Sequence, residues 1–137
     1  MMVSTKGRYA LRVMIDIAQH KDEGYVSLKD VADRQEISMK YLELIAAILN
    51  RAGYLKSKRG KAGGYMLSKE PEKFNIGEIL KLTEGSLAPV TCMENSGCVG
   101  CKRAAMCYAL PMWIKLDNMI DSYLEGISLQ DLIDGKV

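Results

Sequence analysis

The sequence predicts a mainly α-helical fold with one small β-hairpin, and three observations predict it. Two short segments, each opened by a serine, carry apolar residues at helical spacing and lie only a few residues apart. A basic, glycine-rich stretch then separates two short β-prone runs. Near the C-terminus a long segment repeats apolar residues with a helical period. At 137 residues the chain suffices for one core and a short appendage.

Taken in order, the first helix runs from Ser4 to about His20, carrying Tyr9, Leu11, Val13, Met14, Ile17 and Ala18, and Gly24 stops it. Ser27 and Asp30 form a capping pair for a short helix to about Arg34, with Leu28, Val31 and Ala32 inward. After the turn Gln35-Glu36-Ile37, Ser38 caps a third helix to Ala52, whose apolar stripe is Leu42, Ile45, Ile48, Leu49 and Ala52. Gly53 ends it. Tyr54–Lys58 and Tyr65–Ser68 are the strands of the hairpin, around Arg59-Gly60-Lys61-Ala62-Gly63-Gly64. Asn75 and Glu78 open a helix from Ile76 to Glu84, which Gly85 closes. Pro111 is tolerable only near a helix start, which places the long helix at Leu110–Glu125. Its stripe is Trp113, Leu116, Ile120 and Tyr123, with Met112, Met119 and Leu124 alongside; so broad an apolar face calls for a second copy of the helix as partner. Ser128 and Asp131 cap a last helix to Asp134, before Gly135. The expected division is 1–85 for the helices and hairpin, 86–108 for a cysteine loop, and 109–137 for the long and final helices.

Two short helices joined by a tight turn and followed by a basic hairpin form a winged helix-turn-helix pattern. The net charge is only +2, yet Tyr54 to Lys69 holds Lys56, Lys58, Arg59, Lys61 and Lys69 with no acid, while the rest carries a net of −3. A basic strip on a mildly acidic body suits a polyanionic partner, here double-stranded DNA. On the third helix Lys40, Glu43, Ala47 and Asn50 fall off the apolar stripe. Glu43 suits a cytosine amino group, and Lys40 or Asn50 a base edge or phosphate. Lys56, Lys58, Arg59 and Lys61 suit phosphates, with Arg59 at a tip thin enough for a minor groove. The competing explanation is a solvated charge mix on a plain hairpin.

All four cysteines, Cys92, Cys98, Cys101 and Cys107, lie in one short stretch at x5, x2 and x5 spacing, with Gly97 and Gly100 directly before two of them. Four thiolates make the full ligand set of a 2Fe–2S or 4Fe–4S cluster or of a tetrahedral zinc, and a disulfide switch is a further alternative. The N-terminus lacks an apolar leader and no apolar run approaches a membrane span, so a cytoplasmic protein with no membrane partner is expected. There, clustered cysteines more often serve as ligands or redox groups than as structural disulfides.

Three motifs, Ser4-Thr5-Lys6-Gly7-Arg8-Tyr9-Ala10, Ile37-Ser38-Met39-Lys40-Tyr41-Leu42-Glu43 and Arg59-Gly60-Lys61-Ala62-Gly63-Gly64-Tyr65-Met66-Leu67, resemble the bacterial iron–sulfur cluster regulators, the IscR-, NsrR-, RirA- and CymR-like repressors. The resemblance covers nearly the whole chain and implies a homodimeric transcription factor with a long dimerisation helix and a cluster loop directly before it. It implies that the third helix enters the major groove, with Tyr41 and Glu43 on it, and the wing the minor groove, with Arg59 on it, whereas Lys40 departs from the small polar residue of IscR-like members; Ser38, Lys40 and Asn50 complete the expected DNA-contacting set of that helix. It also implies an iron–sulfur cluster, 2Fe–2S ahead of 4Fe–4S, sensing iron–sulfur, redox or nitric oxide status. The cysteine pattern departs from the family. Three cysteines are usual there, the last two separated by x5; Cys101 and Cys107 reproduce that pair, leaving Cys92 as the first and Cys98 as an extra. An alternative register pairs Cys92 with Cys98, but then Ala104 stands at the third position. The histidine that IscR-like members carry after the third cysteine is missing, and His20 is the chain's single histidine. If only three thiolates ligate, an acid such as Asp16 or Glu23, from either subunit, is the candidate fourth ligand. The competing function is a CymR-like repressor without a cluster, signalled by a partner protein, thiol oxidation or zinc. An enzyme using Cys98-Val99-Gly100-Cys101 is disfavoured, since no cofactor fingerprint or nucleophile–base pair accompanies it.

Overall fold

The computed structural model describes residues 3–94 and 101–137. It contains helices α1 (Thr5–Gln19), α2 (Leu28–Gln35), α3 (Met39–Arg51), α4 (Ile76–Glu84), α5 (Leu110–Glu125) and α6 (Leu129–Asp134), and strands β1 (Leu55–Lys58) and β2 (Gly64–Leu67). Among the described residues the mainly helical fold with a single hairpin is therefore present.

Local chemistry starts most helices where the sequence indicates. Ser27, Ser38, Asn75 and Ser128 each accept from the backbone N–H three residues on, at Asp30, Tyr41, Glu78 and Asp131. Each removes one orphan donor from a first turn, a contribution of about 1 kcal/mol. Asp131 returns the favour to the Ser128 N–H, completing a capping box. The α1 terminus is different. Ser4 makes no side-chain cap, and the carboxylate of Glu84 accepts from Ser4 N, Ser4 Oγ and Gly7 N at 3.0, 2.7 and 3.0 Å. A charge at the C-terminal end of α4, unfavourable for its own helix, thus neutralises the N-terminal dipole of α1.

The core is built on α1. Met14 and Ile17 of α1, Leu42, Ile45 and Leu49 of α3, Ile79 of α4 and Leu129 are fully buried in one cluster. The expected α3 stripe is correct at Leu42, Ile45 and Leu49, but Ile48 is half-buried and Ala52 exposed, because the helix ends at Arg51. Ala46 is buried instead. The chain's end returns to this core, with Ile127 and Leu129 buried and the Ile127 carbonyl accepting from Ile76 N.

The hairpin is antiparallel, pairing Leu55 with Leu67, Lys56 with Met66, Ser57 with Tyr65 and Lys58 with Gly64. Val26 adds a bridge to Tyr65 through two 2.8 Å backbone hydrogen bonds, which ties the wing root to the segment before α2. Gly64 sits at φ 149°, and a Cβ there would collide with the Val26 carbonyl. Only glycine fits the chain's close approach.

Candidate nucleic-acid interface and thiol loop

The turn between α2 and α3 is held from beneath by a buried charge. Asp16 of α1 is 1% exposed. Its Oδ1 accepts from Arg34 at 2.6 Å, and its Oδ2 accepts from Arg34 Nε at 3.0 Å and from Gln35 Nε2 at 2.9 Å. Burial pushes this carboxyl up, but the hydrogen bonds from Arg34 and Gln35 and the Arg34 charge outweigh it, so it titrates below its ordinary value. His20 lies 3.6 Å from Oδ1, its Nδ1 within 2.7 Å of the Asp16 carbonyl. Asp16 is thus committed inside the fold, both of its oxygens engaged, and is not placed to ligate a metal as the sequence suggests.

Beyond that turn, Glu36 adopts the left-handed region at φ 54° and redirects the chain into α3. Ser38, Lys40, Glu43, Ala47 and Asn50 are all exposed on α3. Tyr41 stands apart from them. It is half-buried, with its ring 5.6 Å from that of Tyr9 in an edge-to-face contact. Leu44, 50% exposed one turn after Lys40, is a surface apolar residue the sequence reading passed over. An apolar residue off the buried stripe was the available signal, and such a group suits a thymine methyl.

On the hairpin, Lys56, Lys58, Arg59 and Lys61 are exposed. Among the described residues, none of the four has a carboxylate within ion-pairing distance. Lys58 Nζ lies 5.7 Å over the Tyr25 ring. The tip carries its charge on a short turn closed by Gly63 N donating to Gly60 O at 3.0 Å. Helix α3 packs against β1, the strand that leads to this tip.

Cys92 is exposed in a 3₁₀ turn at Thr91–Met93, whereas Cys101 and Cys107 are half-buried, on either side of a second turn at Ala104–Met106. None of these three is in a disulfide. Cys98 lies outside the described residues. Among the described residues no three ligating side chains come together, so what fits a cluster here is the chemistry of the donor set, soft thiols on both limbs of one loop. A small apolar cluster gathers those limbs. Met93 beside Cys92, and Ala104 between Cys101 and Cys107, pack with Ala88, Leu110 and Trp113.

That packing corrects the expected α5 stripe. Trp113, Ile120 and Leu124 face the chain's own residues, whereas Leu116 and Tyr123 are exposed with Met112 and Met119. The exposed set Met112, Leu116, Met119 and Tyr123 repeats at 4, 3 and 4 residues, the spacing of a two-helix seam. Lys81 of α4 pins the other side of α5 through Asp121 at 3.1 Å and Glu125 at 2.8 Å. Among the described residues, no helix is long and apolar enough to cross a membrane.

Comparison with known proteins gives a consistent result. The family described as Rrf2, iron-dependent transcriptional regulator, matches residues 3–135. The HTH-type transcriptional regulator IscR of Aliivibrio salmonicida is 38% identical over 138 residues, spanning 100% of this chain and 80% of that protein. Among solved structures, IscR of T. potens is 37% identical with a TM-score of 0.78, covering 100% of this chain and 89% of that one. CymR (YrzC), the global cysteine regulator of B. subtilis, is 36% identical with a TM-score of 0.77, covering 96% and 95%.

Proposed function

The chain belongs to the Rrf2 family of transcriptional regulators and is not an enzyme, and from that premise we propose that it binds operator DNA as a homodimer and answers to iron–sulfur or redox status through its cysteine loop. The observation that carries the DNA reading is a basic wing tip without carboxylate partners among the described residues, on a hairpin whose first strand packs against α3. Lys40, Glu43 and Asn50 read base edges, Ser38 lies at the helix entry near the phosphate backbone, and Lys56, Lys58, Arg59 and Lys61 neutralise phosphates. Tyr41, held against Tyr9, offers at most its outer edge. The exposed α5 seam meets its copy in a second protomer, which sets the spacing of two reading helices on successive turns of DNA.

Replacing Arg59 with alanine removes one phosphate contact. The slope of log affinity against log salt is expected to become shallower by about 0.9, with affinity reduced for operator and unrelated DNA alike. Filter-binding titrations at several salt concentrations measure it, and an unchanged slope counts against the wing.

For the loop, Cys92, Cys101 and Cys107, with Cys98, would hold an iron–sulfur cluster, 2Fe–2S in preference to 4Fe–4S, which when bound supplies sensitivity to iron, oxygen and nitric oxide. Support comes from the thiol donor set and from the IscR-named relatives. Trp113 links that loop to α5, so a change in the loop is felt where the two protomers meet. Similarity to CymR keeps a second reading, in which the cysteines act as thiol sensors or bind zinc and the signal comes from a partner protein. Anaerobic reconstitution with iron and sulfide separates the two. A cluster is expected to give visible absorbance, a Mössbauer spectrum and an altered operator affinity, all lost in Cys101→Ala. A colourless protein with stoichiometric zinc and unchanged affinity overturns the cluster reading in favour of the second.

A further inference from the structure

The structure assigns Gln35 as a positioning residue for the DNA-reading helix, the connector through which α1 sets the orientation of α3. This rests on the reading of α3 as the helix that contacts bases. Gln35 is the last residue of α2, immediately before the left-handed Glu36 that turns the chain into α3. Its amide is used at both ends. Nε2 donates to Asp16 Oδ2 at 2.9 Å, and Oε1 accepts from Arg12 Nε at 3.1 Å. Arg12 also donates to the Gln35 carbonyl. The amide can point only one way, because reversing it would set its nitrogen against a guanidinium and its oxygen against a carboxylate.

The link continues to the far side of the turn. The Arg12 guanidinium stacks 5.0 Å over the Tyr9 ring, and Tyr9 meets Tyr41 edge-on in the first turn of α3. Tyr9 and Arg12, three residues apart on α1, therefore hold Gln35 before the turn and Tyr41 at the start of α3. A helix that must present Lys40, Glu43 and Asn50 to base edges needs this constraint. Base hydrogen bonds tolerate displacement of only a few tenths of an ångström, whereas phosphate contacts by flexible lysines tolerate much more. The core beneath α3 buries Leu42, Ile45 and Leu49 and so fixes which face points inward, while the directional contacts at its start fix the fine angle that base hydrogen bonds require. The Arg34 contacts to Asp16 do not involve Gln35, so the buried charge remains paired when the connector is cut.

The test is a pair of double-mutant cycles on operator affinity, with the unrelated-DNA affinity measured alongside. Gln35→Met preserves volume and removes both amide bonds. It is expected to keep cooperative unfolding and unrelated-DNA affinity while weakening operator binding about tenfold, the size of one lost base contact. Combined with Glu43→Ala its effect should be strongly sub-additive, since a misaimed helix has already lost that contact; combined with Arg59→Ala it should be additive. Arg12→Lys, which keeps the charge but not the fork, should reproduce the same pattern and serves if Gln35→Met does not fold. Full operator affinity in Gln35→Met, or equal loss on operator and unrelated DNA, overturns the assignment. If Glu43→Ala and Arg59→Ala also leave operator affinity unchanged, it is the DNA reading itself that has failed.

Discussion

Replacing Arg34 with alanine is expected to destabilise the protein by about 3 kcal/mol at neutral pH, lowering Tm by about 10 °C. Asp16 is 1% exposed and receives its strongest hydrogen bonds from Arg34, so truncation leaves a buried carboxylate with Gln35 as its main remaining donor. The figure sits at the low end of such losses because the Arg34 side chain is 34% exposed and water can partly replace it. The pH dependence separates this cause from a simple loss of packing. In the intact protein the Asp16 pKa is lowered, so its contribution is present above the unfolded-state value of about 3.9 and lost as pH falls through the folded value. Without Arg34, burial becomes the dominant influence and the pKa rises. The variant then relieves its penalty by taking up a proton as the solution is acidified. The stability gap between the two proteins should therefore narrow from pH 7 towards pH 4.5, as read from urea melts. A gap of constant size would mean that Arg34 acts through its aliphatic stem.

Met119→Asp should leave the chain folded and abolish the proposed homodimer. Met119 is 60% exposed at the middle of the seam Met112, Leu116, Met119, Tyr123. The residues that hold α5 to its own protomer, Trp113, Ile120 and Leu124, lie elsewhere on the helix, and the Lys81 ion pairs are untouched. Across a two-fold axis the substitution sets two carboxylates close together in an apolar seam, at a cost neither can relieve by pairing. Operator affinity should fall about 10²–10⁴-fold, because the second half-site contact ceases to be intramolecular. Sedimentation equilibrium and operator titration on the same sample measure both effects. A dimer that survives, or full operator affinity in a monomer, refutes the seam.

Features with a short reach along the chain could be read directly from the residues. Ser27, Ser38, Asn75 and Ser128 each cap through an amide three residues away, so spacing alone located four helix starts. Gly85 and Gly135, both at positive φ, marked two helix ends, and Pro111 placed the start of α5. The hairpin followed from its glycines. Long-range partnerships were invisible by the same logic. Glu84 caps a helix 80 residues earlier in the chain, and nothing around either residue announces the pairing. Val26 joins the wing root by two backbone bonds that depend on register, not on side-chain type. Asp16 looked like a spare acid at the end of α1 and proved to be the anchor of the helix-turn-helix turn.

The α5 helix draws the line most clearly. Its limits, Leu110 and Glu125, and the breadth of its apolar surface follow from proline geometry and hydrophobic spacing, which are properties of the residues themselves. Which of those residues face inward is a different kind of fact. Trp113 packs on the buried pair Ala88 and Met93, and Ile120 and Leu124 on the main core, leaving Met112, Leu116, Met119 and Tyr123 exposed. Helical period sorts residues into stripes, but burial is assigned by whatever surface packs against each stripe, and that surface comes from distant parts of the chain.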